Sequence, residues 1–353
     1  RDSSPAFTTR HRVRPDITAE VNTSLSQLSH DGLLDARHVR DCCPWKQSEF
    51  PLDRCRSYVW WHTDDNQRRV VTVTRGTAII SKTETAQAAT MVVNQSSQRA
   101  IVNWDSFDLG SSATLNFVQP NSQAVTLNRV NDSHLSQIFG HINANGQVFL
   151  VNPSGVLFTP TAQVNVGALV ASTQNISTAD FMAGNYRFER NGATGKVINE
   201  GQLNAALGGY IALLAPEVQN AGVVVAQAGT VAMAAGETIT LNFDGNQHLA
   251  GITTTAATLE TLIENRQAVR APGGLIILSA KSVAELQAGV VNNTGAVEAT
   301  QLNMVDGVIR LDASQAVIQT GTLRAPNISV ATKNLVDAGT WDASAAGDRK
   351  STR

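Results

Sequence analysis

The residue types of a hydrolytic triad stand side by side at Asp132-Ser133-His134. A triad is assembled in space from separate parts of a chain, so adjacency in sequence favours an ordinary polar loop instead. His134 and His141 carry nitrogens that could bind a metal ion, but no Cys or close carboxylate pattern accompanies them. We therefore predict that this region is neither catalytic nor metal-binding.

Other chemical motifs are equally weak. Four possible zinc ligands lie near the N-terminus: Cys42, Cys43, Cys55 and His62. The adjacent cysteine pair lacks the usual CxxC spacing of a zinc site. The glycine pairs at 208–209 and 273–274 are similar to phosphate loops, but no GxxxxGK[ST] is present. We predict no catalytic residue, no metal ion and no cofactor for this chain.

A polar corner separates two apolar runs in VFLVNPSGVLF, residues 148–158. The types and order of Asn152, Pro153, Ser154 and Gly155 are typical of a type I turn. A two-residue β-hairpin would need φ > 0 at its first central residue, which Pro153 cannot adopt. We therefore predict that the chain turns a corner here and continues, as a solenoid does at each edge.

The composition excludes several classes of protein. Aromatic residues make up 5% and charged residues 16% of the 353 residues, while hydrophobic residues reach 42%. This favours a thin core of repeated small aliphatic layers and argues against a large aromatic-rich core. The net charge of −2 indicates neither nucleic acid nor an anionic membrane as a partner. No apolar run of about 18 residues predicts a transmembrane segment.

The first 70 residues differ from the rest of the chain. Arginine is dense there, all three cysteines lie there, and no helical or strand period is present. We predict an irregular leader over residues 1–70, which is either a genuine but unfamiliar segment or not authentic protein. Because the chain begins with Arg1 and shows no apolar signal-peptide core, we expect a fragment or a missing true start.

Two phrases recur in the second part of the chain. The first phrase is VINEGQLNAA (197–206), VQNAGVVVAQ (218–227), LIENRQAVRA (262–271), VVNNTGAVEA (290–299) and VIQTGTLRA (317–325). The second phrase is GGYIALLA (208–215), GTVAMAA (229–235), GGLIILSA (273–280) and GVIRLDA (307–313). One copy of each makes a unit of about 20 to 30 residues, which is typical of a solenoid repeat.

The repeated phrases predict strands joined by corners. Apolar residues alternate with the strand period of two, and the Gly and Asn positions suit turns. Strands of successive coils would pair with one another, so Asn199 and Asn220 would stack as a ladder. We predict an all-β protein, a right-handed single-stranded parallel β-helix with an N-terminal cap.

Two segments have partly helical character. Residues 255–271 show an amphipathic pattern, but the repeat phrase overlaps them. We predict a short helical or loop entry at 256–261 and a strand after it. SVAELQAG (282–289) is predicted to form a short helix between two coils.

Four phrases occur in order between residues 91 and 173. They are MVVNQSSQRAIVNWDSFDLG (91–110), LNFVQPNSQAVTLNRV (115–130), SQIFGHINANGQVFLVNPSGVLF (136–158) and AQVNVGALVAST (162–173). Together they resemble the N-terminal two-partner secretion (TPS) domain of filamentous haemagglutinin-type exoproteins. Four phrases at fitting distances are more specific than any single motif.

The resemblance implies a secretion domain over residues 71–255, further β-helix repeats over 256–340 and a tail over 341–353. In that family the domain is recognised by the polypeptide-transport-associated (POTRA) modules of an outer-membrane transporter, and it nucleates folding of the exoprotein. The resemblance further implies a secreted or cell-surface adhesin that is not an enzyme, with host-cell glycans or receptors as later partners. Ser154 stands where the family more often has Asn, and its NPNL motif is absent.

The corner at residues 152–155 is the candidate site for transporter recognition. It serves either the fold alone or, with nearby surface, a contact with the transporter. In the second case Asn152→Ala should reduce secretion without lowering the thermal midpoint. Structural anchors are predicted at Asn103, Trp104, Phe107, Asn199 and Asn220. If Trp104 is buried, its indole N–H needs a hydrogen-bond partner.

Two alternative functions stay open. The chain could be the N-terminal part of a contact-dependent growth-inhibition toxin, whose activity lies in a C-terminal domain beyond this sequence. It could also be a β-helix that binds or cleaves a polysaccharide. A cluster of carboxylates on one face of the solenoid would favour the polysaccharide alternative.

Overall fold

The computed structural model describes residues 71–85, 87–283, 289–302 and 304–343. The predicted leader over residues 1–70, its four possible zinc ligands and most of the predicted tail lie outside these residues. The described part consists of β-strands and one short helix.

In chain order the elements are β1 (Val71–Arg75), β2 (Ala78–Glu84), β3 (Ala89–Gln95), β4 (Arg99–Trp104), β5 (Ala113–Val118), β6 (Val125–Val130), β7 (Ser136–Ile138), β8 (His141–Ala144), β9 (Gln147–Val151), β10 (Val156–Phe158), β11 (Gln163–Val166), β12 (Ala168–Ser172), β13 (Asn175–Ile176), α1 (Thr178–Ala183), β14 (Arg187–Glu189), β15 (Lys196–Asn199) and β16 (Gln202–Ala205). They continue with β17 (Tyr210–Leu214), β18 (Glu217–Asn220), β19 (Val223–Ala226), β20 (Thr230–Ala235), β21 (Thr238–Phe243), β22 (Leu249–Thr254), β23 (Thr261–Asn265), β24 (Ala268–Arg270), β25 (Leu275–Ala280), β26 (Gly289–Asn293), β27 (Ala296–Glu298), β28 (Val308–Ala313), β29 (Ala316–Gln319), β30 (Thr322–Arg324), β31 (Asn327–Ala331), β32 (Asn334–Asp337) and β33 (Thr340–Asp342).

Three long sheets are built from successive coils of the chain. Sheet A has the order β1-β4-β6-β9-β12-β17-β20-β25-β28-β31, sheet B the order β2-β3-β5-β8-β11-β16-β19-β24-β27-β30-β33, and sheet C the order β7-β10-β15-β18-β23-β26-β29-β32. Strands of neighbouring coils pair in parallel, as β9 does with β12. A complete coil passes from sheet A through sheet C to sheet B, so the predicted parallel β-helix is confirmed.

The two repeated phrases correspond to the three sheets. Each copy of the first phrase supplies one strand of sheet C and one of sheet B, as β15 and β16 do. Each copy of the second phrase supplies a strand of sheet A, namely β17, β20, β25 and β28. The aliphatic residues that face inward from all three sheets form one continuous core along the coils.

The N-terminal end of the described β-helix is closed by two antiparallel strands. β1 pairs antiparallel with β4, and β2 pairs antiparallel with β3. All other pairings within sheets A, B and C are parallel among the described residues. Covering the first coil in this way keeps its strand edges from pairing with another chain.

A fourth sheet, which the repeat pattern did not predict, lies outside sheet A. Sheet D has the order β13-β14-β21-β22, is antiparallel, and is accompanied by α1. The helix begins after Ser177, whose side chain accepts a hydrogen bond from the Asp180 N–H, and ends at Gly184 with φ 82°. These caps satisfy backbone groups at both ends of a very short helix.

Sheet D and sheet A enclose a second core that is rich in aromatic residues, although the composition argued against a large aromatic-rich core. Alternate residues of β17 belong to different cores: Ile211 and Leu213 face the β-helix interior, whereas Tyr210 faces sheet D. The aromatic members of the outer core are Phe149, Phe181, Tyr186 and Phe188 together with Tyr210, and Phe243 packs against them. A low overall aromatic content therefore hid a local concentration.

The two partly helical segments differ from their predictions. Residues 255–260 form a loop with one β-bridge at Ala257, followed by β23, so the loop form of that prediction is the observed one. Residues 284–288 of the second segment lie outside the described residues. Its two ends are not helical, because Ser282 is in a β-bridge and Gly289 begins β26.

Candidate functional site

The corner at residues 152–155 joins β9 of sheet A to β10 of sheet C. The Gly155 N–H donates to the Asn152 carbonyl at 3.0 Å, which closes the turn. The Asn152 side-chain oxygen accepts from the Ser154 N–H at 2.9 Å, as in an Asx-turn. Gly155 has φ 129°, a conformation that favours glycine. The chain therefore turns and continues, as its sequence predicts.

The Asn152 side chain is completely buried and bonds the corner to the preceding coil. Its Nδ2 donates to the His134 carbonyl and to Ser136 Oγ, both at 3.0 Å. Ser154 Oγ adds a second tie by donating to the Asp132 carbonyl at 2.8 Å. Asn152 thus satisfies three polar groups of the fold, so Asn152→Ala cannot by itself separate a structural role from a transporter contact.

The corner is covered on its other side by the loop that enters β15. A Cβ placed on Gly195 would lie 2.5 Å from the Pro153 carbonyl oxygen and 2.7 Å from the Gly155 nitrogen. This close approach requires glycine at residue 195. The loop arrives here because the chain leaves the stack after β12, forms β13, α1 and β14, and returns at β15.

An open groove of about 520 Å³ lies where the corner meets these neighbouring loops. Its apolar lining includes Leu135, Leu157 and Ile198. Leu157 and Ile198 are register partners in sheet C, and Leu135 is 40% exposed. Pro153 and Lys196 lie on the same groove, and Lys196 pairs with Glu217 at 2.7 Å. The groove can accommodate apolar side chains beside polar backbone.

The neighbouring polar residues do not form a triad. His134 Nδ1 lies 3.0 Å from Asp132 Oδ1, and Ser133 Oγ lies 3.4 Å from that same nitrogen. A serine triad needs the hydroxyl and the carboxylate on opposite ring nitrogens. The His134 side chain is 85% exposed. The three residues form a polar loop, as their adjacency indicated.

The carboxyl group of Asp108, which is bonded to β7, has a raised pKa. Burial raises the pKa of Asp108, the negative charge of Asp132 raises it further, and the hydrogen bond from the Gln137 N–H opposes both. That bond is 2.8 Å long and covers a backbone N–H at the outer edge of β7. Asp108 is therefore a cap for an edge strand of sheet C, which limits pairing with other chains.

Metal ligands and clustered carboxylates are not brought together in the part of the chain that the structure describes. No group of three or more His, Cys, Asp or Glu residues there could hold a metal ion. Several carboxylates are instead paired with cations on neighbouring strands, as in Arg270–Glu298 and Arg324–Asp342. The carboxylate cluster that would favour a polysaccharide-cleaving β-helix is not present among these residues.

Trp104 and Phe107 lie inside the first coils. Both are buried, and their rings make an edge contact with centroids 5.1 Å apart. The Trp104 indole N–H donates to Asn128 Oδ1 at 2.9 Å. Asn103 is placed differently, because it points outward beside its register partner Arg129 and is only half-buried. The structure thus separates Asn103 from the two aromatic residues.

Asn199 and Asn220 belong to a longer column of buried amides. Four asparagine amides donate to the amide oxygen of the following coil, with distances of 2.8, 2.8, 2.7 and 2.8 Å, and Gln319 accepts the last of these bonds. The column consists of Asn199, Asn220, Asn265, Asn293 and Gln319, all fully buried at the corner between sheets C and B. The sequence indicated its first two members.

A second buried polar group was missed by sequence reasoning. Gln119 Nε2 donates to the carbonyls of Ala124 and Gln147 and to Thr126 Oγ1, and its oxygen accepts from the Gly146 N–H. Gln119 satisfies these groups at a corner between sheets B and A. The sequence shows Gln119 in the QPN of residues 119–121. Its four hydrogen-bond partners belong to two different coils, so the sequence alone does not show that they meet.

The fold and the site define a class of protein: a parallel β-helix with an open groove at one corner and no assembled reacting groups among its described residues. The model of the TPS secretion domain matches residues 71–325, and the chain belongs to this family. It is a secretion domain of a two-partner secreted exoprotein and not an enzyme. Exoproteins of this family are secreted.

The chain is also similar to individual known proteins. A "Heme/hemopexin-binding protein" of Haemophilus influenzae is 37% identical over 150 residues, which are 42% of this chain and 16% of that protein. The HMW1 secretion domain of Haemophilus influenzae superposes with a TM-score of 0.63 at 24% identity, over 78% of this chain and 83% of that one. The filamentous hemagglutinin secretion domain gives a TM-score of 0.42 at 16% identity, over 78% and 99%.

The match to the curated relative therefore spans only a small part of that protein's length. The family match extends to residue 325, and the boundary predicted at residue 255 stays a prediction. Within the described residues, no helix is long and apolar enough to cross a bilayer.

Proposed function

We propose that this chain is the N-terminal secretion domain of a large secreted bacterial adhesin of the filamentous haemagglutinin type. An outer-membrane transporter recognises it through POTRA modules, and its coils nucleate folding of the rest of the exoprotein. The family match over residues 71–325 carries this proposal. Host-cell glycans or receptors would be bound by the mature protein at the bacterial surface.

The corner and its groove are the proposed contact for the transporter. Asn152 and Gly155 are buried and hold the turn, whereas Pro153 is exposed and Ser154 is half-exposed. The groove offers apolar side chains at a surface where neighbouring coils offer mostly polar ones. Leu135 in particular is exposed without being needed for the β-helix core. These features suit recognition better than Asn152 does.

The test is secretion of the full chain behind a Sec signal peptide, coexpressed with a cognate two-partner transporter. We expect transporter-dependent appearance in the medium. Leu135→Ser should reduce secretion, whereas Leu207→Ser should not, since Leu207 is 75% exposed and lies at a different corner. Both variants should keep the thermal midpoint, because exposed leucines contribute little to stability.

Two outcomes would contradict parts of this proposal. A folded chain that stays in the periplasm with its cognate transporter would exclude the secretion role. Equal secretion of the two leucine variants would keep that role and exclude the groove as the contact.

The same secretion step would serve other exoproteins. A contact-dependent growth-inhibition toxin would carry its activity in a C-terminal domain, and a haem- or haemopexin-binding exoprotein is what the name of the curated relative describes. Sequencing the gene downstream of residue 353 distinguishes these from an adhesin.

A further inference from the structure

The buried amide column lies in coils whose alternation of inward and outward residues does not by itself fix the register between neighbouring strands. In sheet C each strand from β15 to β29 turns an aliphatic side chain inward, as at Val197 and Val218, and two residues later an amide, as at Asn199 and Asn220. The aliphatic residues join the common core. The amides are polar side chains that recur at the same inward position of successive coils.

Alternation alone leaves one kind of pairing error possible. A slip of one residue between coils would turn all inward side chains outward, so the apolar pattern opposes it strongly. A slip of two residues keeps every side chain on its own face. In sheet A such a slip would place aliphatic residues beside aliphatic residues, for example Ile211 beside Met233 in place of its partner Val231.

The amide column opposes the slip of two residues. In the native register Asn199 donates to Asn220, and Asn220 donates to Asn265. A slip of two residues would place an amide against an aliphatic side chain and leave buried donors and acceptors unpaired. Each unpaired group lowers the population of the slipped state about tenfold or more. This penalty recurs at each of the four bonds in the column.

We propose that the amide column of residues 199, 220, 265, 293 and 319 is the device that sets the register between successive coils. The inference does not depend on transporter recognition. The column also has one direction, since each of its four asparagines donates an amide N–H to the amide oxygen of the next coil. Each folded coil thus offers a donor that the next coil meets only in the correct register.

Engineered disulfides can report the register directly. In a full chain with Cys42, Cys43 and Cys55 replaced by Ser, cysteines at Ile198 and Gln219 report the native pairing, because these residues are register partners on the outer face. Neighbouring strands lie about 4.8 Å apart, within disulfide reach. Cysteines at Ile198 and Glu217 are about 8 Å apart in the native register and come into reach only after a slip of two residues.

The register test compares the natural amide column with two variants of it, after refolding from urea and oxidation. The protein with the natural amide column should form the native disulfide almost exclusively. A variant with all five amides replaced by Leu should still fold, since replacing both partners of a buried bond with apolar groups of similar shape can be nearly neutral. Its ratio of slipped to native disulfide should rise at least about tenfold. Asn220→Leu alone should raise the ratio as well.

Val218→Ala is the matched control, because Val218 is buried in the same strand and its truncation leaves a cavity without touching the amides. It should lower the urea midpoint and leave the disulfide ratio unchanged. The proposal is overturned if the variant with five Leu residues and Asn220→Leu both form only the native disulfide. It is also overturned if the variant with five Leu residues forms neither disulfide while Val218→Ala forms the native one. The amide column would then contribute to stability but would not set the register.

Discussion

The side-chain amide of Asn152 lies 3.0 Å from the hydroxyl of Ser136, and both groups are buried one coil apart. Asn152 also bonds the His134 carbonyl and accepts from the Ser154 N–H. The corner that interrupts the apolar runs is therefore a bonded joint between coils. The proposed contact with the transporter therefore involves the exposed residues around this corner.

Removing the Asn152 side chain should destabilise the domain. Asn152→Ala leaves a buried hydroxyl and a carbonyl without their donor, and we expect a loss of about 2 kcal/mol or more in the free energy of unfolding. Ser154→Ala removes one hydrogen bond from a half-buried hydroxyl, with an expected loss of about 1 kcal/mol or less. Urea unfolding monitored by circular dichroism measures both. An unchanged midpoint for Asn152→Ala would show that the joint carries no stability.

The outer aromatic core should contribute as much as the β-helix interior. Phe149 is fully buried and contacts Phe181, Tyr186 and Phe188. Phe149→Ala should cost about 4 kcal/mol, because it leaves a large cavity between sheets A and D. Phe139→Ala is the control, since this ring is 39% exposed and its loss should cost about 1 kcal/mol or less. Similar urea midpoints for the two variants would mean that sheet D packs loosely.

Tyr210 should make stability fall at alkaline pH. Burial raises the pKa of its hydroxyl well above 10, and the hydroxyl donates to Gln147 Oε1 at 2.7 Å. The unfolded chain releases this proton near pH 10 while the folded protein keeps it. Since the unfolded state then binds fewer protons, the stability contribution is complete below pH 10 and is lost as pH rises above it.

The alkaline effect is measured by urea midpoints between pH 8 and pH 11 for the natural protein and for Tyr210→Phe. The variant should lose stability at pH 8, because Gln147 loses its donor, and should then decline less steeply with pH. Parallel pH profiles would show that Tyr210 ionises as freely in the folded protein as in the unfolded one.

Sheet D shows why part of the fold escaped prediction. β14 and β21 pair antiparallel through Phe188↔Ile239, although the repeat coils of β15 to β20 lie between them in sequence. Their alternating patterns are the same as those of coil strands, because both kinds of strand bury one face. No local feature of the sequence distinguishes a strand of sheet D from a strand of the β-helix.

The groove escaped prediction for a related reason. Its lining residues Leu135, Leu157 and Ile198 come from three separate segments of the chain. The corner motif indicated the place, but the motif's own Asn152 is buried. The exposed neighbours became visible only once the coils were stacked.

The sequence by itself determined the repeat, the corners and the inward amides, because side-chain alternation, turn chemistry and the recurrence of Asn are local properties of the chain. Only the tertiary structure decided which outward residues are covered and which are free. Sheet D buries Phe149 and Tyr210 on the outer face of sheet A, while the loop that returns from it leaves Leu135 exposed beside Pro153. Those outcomes depend on where an excursion of the chain packs, and burial against a distant segment leaves no mark on the local pattern.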